Sequence, residues 1–281
     1  MGTLMDGRAL AARIREGVAA EVSELGELGL ATVLVGDDPA SQLYIRRKHE
    51  AAREVGISTR DLHLPEETSE EDVLALVRDL NNDDGVDGVL VQLPLPRQID
   101  EARVIGAVDP VKDVDGFHPV NAGQLYLGRP AHVSATPLGI MALLEEYGVP
   151  LEGARTVVIG RSDIVGKPIA LLLLHANATV TILHSRSRDL TAHTLEADVV
   201  VAAVGQKGLL ARNMVKEGAA VVDVGMNRTE EGLFGDVDPD VSERAGLMTP
   251  VPGGVGPMTI AMLLRSTVRA ARFRRGVLAF P

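Results

Sequence analysis

The sequence contains no cysteine and no tryptophan, and it has only three tyrosines and four phenylalanines. The absence of cysteine excludes disulfide bonds, thiolate catalysis and cysteine-ligated zinc. Aromatic residues make up 2% of the chain, whereas hydrophobic residues make up 46%. We therefore expect a sizeable core built from Leu, Val, Ile and Ala.

Clustered positive charge and long apolar runs are also missing. The net charge is −11, without a long basic run, which argues against nucleic acid as a partner. The run IALLLL at 169–174 is too short to span a bilayer. The N-terminal stretch has no signal-like apolar core, and Asp6 breaks the myristoylation pattern. We expect a cytoplasmic protein with no membrane or nucleic-acid partner.

Strand-like and helix-like runs alternate along the 281 residues, a length that favours about two domains. Several of the strand-like runs are continuously apolar, which is typical of parallel strands covered on both faces. The pattern predicts an α/β fold with a boundary near 120–150, where a helix is expected at 137–148. The predicted strands are 31–36, 58–64, 86–91, 156–160, 179–183, 198–204 and 219–224, and the predicted helices before the boundary are 39–56 and 69–82.

A glycine-containing turn follows the predicted strand TVVIG. It reads GRSDIVGKP at 160–168, and a helical run comes next. A strand, a glycine turn and a helix N-terminus together form an arrangement that receives a pyrophosphate. Ser162 replaces the second glycine of the usual fingerprint, and Gly160 and Gly166 are six residues apart. The turn alone does not exclude a plain strand-to-helix connection.

The end of the next predicted strand bears on the choice of cofactor. TVTIL is followed by His184, Ser185 and Arg186, where an NAD site often carries a carboxylate for the ribose 2′-hydroxyl. Without that carboxylate, Ser185, Arg186 and Arg161 are free to bind a 2′-phosphate. This pattern favours NADP over NAD, although each arginine alone is also typical of ordinary solvated charge.

The first half of the chain carries four candidate catalytic residues. Tyr44 and Lys48 are four apart on a predicted helix and share one face. Gln92 lies in VQLPLP at a predicted strand end, and Asp115 lies in the turn-rich KDVDGFHP. The alternatives are packing for the Tyr/Lys pair and turn formation for the aspartate. The seven histidines show no metal-ligand spacing, so we predict no metal site.

The stretch TPVPGGVGPMT at 249–259 holds three prolines and three glycines. Such a loop is stiff, and its bare backbone can approach another group closely. One interpretation is a tight connector into a helix that begins at Pro257, a favoured first position. The other is a backbone wall against a ligand.

Together these segments resemble the bifunctional methylenetetrahydrofolate dehydrogenase/cyclohydrolase family. The resemblance runs in family order from about residue 6 to residue 268. Its most specific stretches are VQLPLP and TPVPGGVGPMT. The matching stretches are GDDPASQLYIRRK (36–48), VQLPLP (91–96), KDVDGFHP (112–119), GRSDIVGKP (160–168), VVDVGMNR (221–228), GDVD (235–238) and TPVPGGVGPMT (249–259).

The resemblance implies two three-layer αβα domains flanking a cleft, the second a Rossmann-type NADP-binding domain. Residues 1–138 would form the catalytic, tetrahydrofolate-binding domain, with the helix 258–281 packing back on it, and residues 139–257 would bind NADP. It implies NADP-dependent oxidation of 5,10-methylenetetrahydrofolate, followed by hydrolysis to 10-formyltetrahydrofolate. It also implies a cytoplasmic homodimer that serves purine biosynthesis.

The resemblance further implies the site residues, and it has Pro250, Gly253, Gly254 and Gly256 of the loop 249–259 facing the ligands. The implied catalytic set has Lys48 at its centre, Gln92 orienting it, Tyr44 stacking on the folate and Asp115 binding the pterin. The implied substrate-binding residues are Tyr44, Lys48, Gln92, Leu93, Asp115, Pro252, Gly253 and Gly254. The implied cofactor-binding residues are Gly160, Arg161, Ser162, Gly166, Ser185, Arg186 and Gly205.

Two other classes of protein share part of these patterns. Short-chain dehydrogenases also carry a YxxxK pair, but there the glycine-rich turn comes before the pair. Here the pair at 44–48 precedes the turn at 160–166, which argues against that class. A non-catalytic NADP-binding protein that kept the fold is the second alternative. The presence of Lys48, Gln92 and Asp115 argues against it.

Overall fold

The computed structural model describes residues 2–281, except for the side chain of residue 40. The strands, in chain order, are β1 (Thr3–Leu4), β2 (Leu28–Val35), β3 (Ile57–Leu64), β4 (Gly88–Val91), β5 (Arg155–Ile159), β6 (Thr179–Leu183), β7 (Val199–Ala202), β8 (Ala220–Asp223), β9 (Asn227–Thr229), β10 (Gly232–Phe234) and β11 (Leu247–Met248). The helices are α1 (Gly7–Leu25), α2 (Pro39–Glu54), α3 (Glu70–Asn82), α4 (Glu101–Ala107), α5 (Pro119–Tyr126), α6 (Ala135–Glu146), α7 (Gly166–His175), α8 (Leu190–Thr194) and α9 (Val255–Arg274). The predicted α/β class with parallel sheets is confirmed.

The chain divides into two compact units. One unit, called the folate unit because its stretches resemble those of the folate family above, contains Arg13–Ala135 and Ile260–Pro281. The nucleotide unit contains the residues up to Ala12 and Thr136–Thr259. The predicted range 1–138 had placed the residues up to Ala12 with the folate unit, but they belong to the nucleotide unit. The reason is β1, which pairs with β11 in parallel, and a two-residue strand is too short to show a periodic pattern.

The folate unit contains a three-stranded parallel sheet in the order β3-β2-β4. All eight residues of β2 are buried, because helices cover both of its faces. Ala31 and Val33 pack in one cluster with Val73 of α3. Thr32 points to the opposite face, where its Oγ1 lies 3.0 Å from Nε2 of His49 on α2.

The nucleotide unit contains a six-stranded parallel sheet in the order β1-β11-β8-β7-β5-β6. Its central strands β7 and β8 are fully buried, as their continuous apolar runs predict. The chain passes from β5 to β6 on one side and then returns to β7 on the other side of β5. The carboxyl ends of β5 and β7 therefore form a topological switch point, where open α/β sheets bind ligands.

Local signals explain where two key helices begin. The α2 helix starts at Pro39, and the Asp38 carboxylate caps it by accepting a hydrogen bond from Ser41 N at 2.8 Å. The α9 helix starts at Val255, so the prediction of a helix beginning at Pro257 is wrong by two residues. Proline is still tolerated there, because the first four N–H groups of a helix have no intrahelical partner. Every helix within residues 2–281 is too short or too polar to cross a membrane.

Candidate active site

A buried lysine forms the centre of the candidate site in the folate unit. Lys48 lies on α2 and is only 6% exposed. Its Nζ donates a hydrogen bond to Gln92 Oε1 at 3.2 Å and lies 4.4 Å from the ring centroid of Tyr44. Tyr44 precedes Lys48 by one helical turn, which places both side chains on the same face of α2. The structure thus brings together three of the four predicted catalytic side chains.

Gln92 owes its position to the sheet. It directly follows β4, and its backbone N–H donates to Val33 O at 2.9 Å, so the sheet pairing extends to this residue. Its side-chain Nε2 donates to Leu93 O at 2.8 Å. With the amide nitrogen bonded in this way, the amide oxygen is directed to Lys48. The predicted substrate residue Leu93 is therefore part of the support for the lysine.

Burial shifts the pKa values of two predicted residues. It lowers the pKa of Lys48, and the attraction of Asp115 opposes this shift. Burial also raises the pKa of Asp115 to about 6, an effect that Lys48 opposes and the nearby Asp113 reinforces. A lysine whose pKa is lowered in this way can exchange a proton closer to neutral pH. Asp115 is thus electrostatically coupled to the lysine.

The turn that carries Asp115 is stabilised by Asp113, which was not among the predicted site residues. Asp113 is 5% exposed. Its Oδ2 accepts hydrogen bonds from His118 N and Asn121 Nδ2, both at 2.8 Å. Gly116 has φ +68°, and a Cβ there would lie 2.8 Å from the backbone of Val133. The glycine in the motif KDVDG is therefore required by conformation and by close packing.

The predicted cofactor residues of the nucleotide unit also come together. Gly160 directly follows β5 with φ +124°, and Gly166 begins α7. A Cβ on Gly166 would lie 2.4 Å from Gly160 O, so the turn closes only with glycine at this position. Ser162 Oγ accepts hydrogen bonds from Val165 N at 3.2 Å and Gly166 N at 3.3 Å. In place of the missing second glycine, the serine shapes the turn before the helix.

The residues that were predicted to select NADP lie in exposed segments. Arg161 is exposed in the glycine turn, and Ser185 and Arg186 are exposed after β6. In that last turn, Arg186 N donates to His184 Nδ1 at 3.1 Å. Gly205, with φ +68°, lies in the loop after β7. These residues follow the carboxyl ends of three neighbouring strands, β6, β5 and β7.

The loop 249–259 belongs to the nucleotide unit. Gly253 has φ +117°, and a Cβ there would lie 3.3 Å from Arg8 Nε. A Cβ at Gly254 would lie 2.7 Å from Thr249 Cβ and 2.8 Å from Pro250 O. Gly254 therefore packs against its own loop, which argues for a structural role. Pro252 is exposed, and at Gly256 the nearest atom to an added Cβ is Met226 Sδ at 4.0 Å. An added methyl group at Gly256 would therefore meet no close contact.

The arrangement within residues 2–281 includes no cluster of three or more His, Cys, Asp or Glu side chains that could hold a metal ion. Sequence reasoning missed three buried carboxylates, on Asp113, Asp223 and Asp236. Each lies in a stretch that the resemblance had matched. However, an aspartate in a glycine-containing stretch is also a common turn former, so the sequence did not distinguish their roles.

Comparison with known proteins covers both units. The catalytic domain of tetrahydrofolate dehydrogenase/cyclohydrolase matches residues 5–115, and the NAD(P)-binding domain of the same family matches residues 134–275. The bifunctional protein FolD 2 of Geobacter sulfurreducens is 53% identical over 278 residues, which are 97% of this chain and 98% of that protein.

Solved structures agree with these matches. The bifunctional FolD enzyme of Campylobacter jejuni has a TM-score of 0.96 and 48% identity, over 98% of this chain and all of its own. The Trypanosoma brucei enzyme, solved with NADP cofactor and an inhibitor, has a TM-score of 0.93 and 40% identity, over 99% of each chain. This chain belongs to the tetrahydrofolate dehydrogenase/cyclohydrolase family.

Proposed function

We propose that this chain catalyses two consecutive reactions on folate-bound one-carbon units. The first is the NADP-dependent oxidation of 5,10-methylenetetrahydrofolate to 5,10-methenyltetrahydrofolate. The second is the hydrolysis of that product to 10-formyltetrahydrofolate. The observation that carries this proposal is the buried Lys48, held by Gln92 within the part of the chain that matches the family's catalytic domain.

The cofactor site is assigned to residues within 139–257. Three features fit a phosphorylated dinucleotide: a closely packed glycine turn, the N-terminus of α7, and exposed Arg161, Ser185 and Arg186 without a carboxylate directly after β6. NADP⁺ held there would supply the acceptor for the hydride that the methylene carbon loses. The lone pair of the folate nitrogen assists this loss, so the chain's main task here is to align the two reactants. Alignment contributes roughly 7–11 kcal/mol at best.

The folate site is assigned to residues within 13–135. In this proposal Tyr44 stacks on the aminobenzoyl ring. Asp115 accepts hydrogen bonds from a pterin ring nitrogen and the amino group, which orient the substrate. A carboxyl group with a pKa of about 6 is mostly ionised at pH 7, so it is in the accepting form there.

Hydrolysis requires more from the protein. Water adds to the methenyl carbon and loses a first proton. N5 of the folate takes up a second proton as its bond to that carbon breaks, and the hydroxyl left on the carbon loses a third to become the formyl C=O, so one proton is released overall. Lys48 is suited to accept the first proton and deliver the second, because burial lowers its pKa. Gln92 keeps the amino group in place while the proton moves. In this assignment Lys48 is the proton-transfer group and Gln92 is a positioning residue.

The family resemblance also supports finer proposals. We propose that the enzyme acts as a cytoplasmic homodimer and that its 10-formyl product serves purine biosynthesis. Sedimentation of the purified protein tests the dimer directly, since a single species of one chain mass would contradict it.

An assay of the purified protein tests the function. Reduced cofactor and methenyl product are followed together, with NADP⁺ and NAD⁺ compared at equal concentration. We expect turnover with NADP⁺, followed by consumption of the methenyl product. Turnover with NAD⁺ alone would overturn the cofactor assignment. A folded protein that binds NADP without turnover would favour a non-catalytic role.

A further inference from the structure

Two buried aspartates of the nucleotide unit lie in matched stretches to which the proposed reactions assign no role. Asp223 belongs to VVDVGMNR and is 2% exposed, whereas Asp236 belongs to GDVD and is fully buried. Burying a carboxylate is unfavourable unless hydrogen bonds replace the lost water. Their partners therefore indicate what these residues do.

The Asp236 carboxylate binds three successive backbone N–H groups. Its Oδ2 accepts hydrogen bonds from Val204 N at 2.7 Å and Gly205 N at 3.0 Å. Its Oδ1 accepts from Gln206 N at 2.8 Å and from Asn227 Nδ2 at 2.9 Å. Consecutive N–H groups converging on one anion form a strong charge-assisted contact. The shape of the loop 204–206 thus depends on this single side chain.

Asp223 in turn holds the segment that carries Asp236. Its Oδ1 accepts from Gly225 N at 2.9 Å and Asp236 N at 2.8 Å, and its Oδ2 accepts from Val237 N at 3.1 Å. A Cβ at Gly225 would lie 2.2 Å from Asp236 Oδ1, and one at Gly235 would lie 1.7 Å from Asp223 Oδ2. The glycines of both stretches therefore make room for the two carboxylates.

The loop that Asp236 holds lies at the switch point of the six-stranded sheet. It follows β7, and Ala203 N donates to Ile159 O at the end of β5 at 2.8 Å. A Cβ on Gly160 would lie 2.3 Å from Ala203 O, so this loop directly contacts the glycine turn. Gly205 itself is exposed with φ +68°. The fixed loop thus forms one wall of the place where the cofactor is assigned.

We propose that Asp236 is a positioning residue for the dinucleotide, and that it acts by fixing the backbone of residues 204–206 beside the glycine turn. This inference rests on the proposed NADP-dependent function and deepens it. Asparagine at this position would turn its NH₂ group towards N–H donors that now face a carboxylate oxygen, so the loop would lose its fixed shape. Asp236 need not contact the cofactor for this effect.

The test measures NADPH binding by Asp236→Asn through the fluorescence of the reduced cofactor, which is convenient because the chain has no tryptophan. We expect the Kd for NADPH to rise about tenfold or more, because the backbone wall is no longer held in place. We expect the cyclohydrolase rate to stay within about threefold, since that reaction transfers no hydride to the cofactor. Asp240→Asn, an exposed aspartate four residues on, serves as the matched control.

The outcomes separate the possible failures. An unchanged Kd for Asp236→Asn would overturn the inference, and so would equal losses of binding, cyclohydrolase rate and thermal stability. If Asp236→Asn does not fold, the same NADPH-binding measurement on Asn227→Ala tests the inference. That substitution removes one hydrogen bond to the Asp236 carboxylate. An unchanged Kd in that variant would also overturn the inference. Failure of the unsubstituted protein to bind NADPH would instead refute the cofactor assignment on which the inference depends.

Discussion

At the residue scale, the candidate site depends on burying two ionisable groups of opposite charge. Lys48 is 6% exposed, and Asp115 is partly buried. Burial is the largest influence on both pKa values and disfavours the charged form of each residue, while their mutual attraction opposes it. Such arrangements are typical of sites that exchange protons near neutral pH. Burying these two groups also lowers the free energy of unfolding.

The first prediction concerns that loss of stability. The pKa of Asp115 is about 6 in the fold, against 3.8 ordinarily, so the folded state binds more protons between these values. Asp115 therefore contributes to the free energy of unfolding at low pH, and this contribution is lost as the pH rises through about 6. We expect Asp115→Asn to raise the free energy of unfolding at pH 7 by on the order of 1 kcal/mol, with the gain vanishing near pH 4.

Denaturant titrations at several pH values check this expectation. Burial also raises the pKa of Asp223 to about 6, so only the difference between the variant and the unsubstituted protein isolates Asp115. Asp79→Asn, an exposed aspartate on α3, is the control and should change stability by less than about 0.5 kcal/mol at either pH. A variant that is less stable at pH 7 than at pH 4, relative to the unsubstituted protein, would contradict the sign of the effect.

At the element scale, the loop 249–259 contains glycines of two kinds. Gly254 packs against Thr249 and Pro250 at distances too short for a Cβ, whereas Gly256 lies in the first turn of α9 with open space around it. The family resemblance implied that both face a ligand. The packing instead assigns Gly254 to the structure of the loop.

The second prediction uses this matched pair. We expect Gly254→Ala to lower the free energy of unfolding by about 1–3 kcal/mol, because backbone must move to admit the methyl group. Gly256→Ala should leave stability unchanged or raise it by up to about 1 kcal/mol, since alanine favours a helix. Because the family resemblance has Gly256 facing the ligands, we also expect Gly256→Ala to raise a KM without loss of stability. Equal destabilisation by both substitutions, measured by thermal unfolding, would refute the distinction.

The third prediction concerns the turns after β5 and β6. The absence of a carboxylate after β6, together with exposed Arg161 and Arg186, suits a 2′-phosphate. We expect Arg161→Ala or Arg186→Ala to raise the KM for NADP⁺ by about 10-fold or more, because a charge-assisted contact to phosphate is lost. The KM for NAD⁺ should change little. Arg188→Ala is the control in the same segment, and an equal effect of all three variants on both cofactors would argue against 2′-phosphate recognition.

At the scale of the whole molecule, the sequence predicted the α/β class and the central strands well. Continuous apolar runs such as VVVA of β7 reflect burial on both faces, and this physical cause is local. The sequence could not place β1 with β11, because that pairing joins residues more than 240 positions apart. It also missed the helix start at Val255, where a proline two residues later looked like the first helical position.

The candidate site was predictable to a similar extent. Tyr44 and Lys48 share a helical face, so their proximity follows from spacing alone. The contact of Lys48 with Gln92 spans 44 residues and was implied only by the family resemblance. The buried carboxylates of Asp223 and Asp236 were missed because most of their partners are backbone N–H groups, which leave no signature in the sequence. Such hydrogen bonds become visible only in the folded chain.

The central claim is that Lys48 transfers the protons of the hydrolysis step. Lys48→Met removes the amino group and replaces a buried cation with an apolar side chain of similar length, a change that need not destabilise the fold. Lys48→Arg keeps the positive charge but cannot lose a proton at neutral pH. The pair therefore separates proton transfer from simple charge.

The measurement that tests this claim most directly compares both activities in these two variants with those of the unsubstituted enzyme. We expect cyclohydrolase activity to fall by about 10²- to 10⁴-fold in both variants, the usual contribution of a general acid–base group. Dehydrogenase activity should fall much less, because hydride transfer depends on alignment. Small, equal losses of the two activities would contradict the role of Lys48, and full cyclohydrolase activity in Lys48→Arg would show that a fixed positive charge is sufficient.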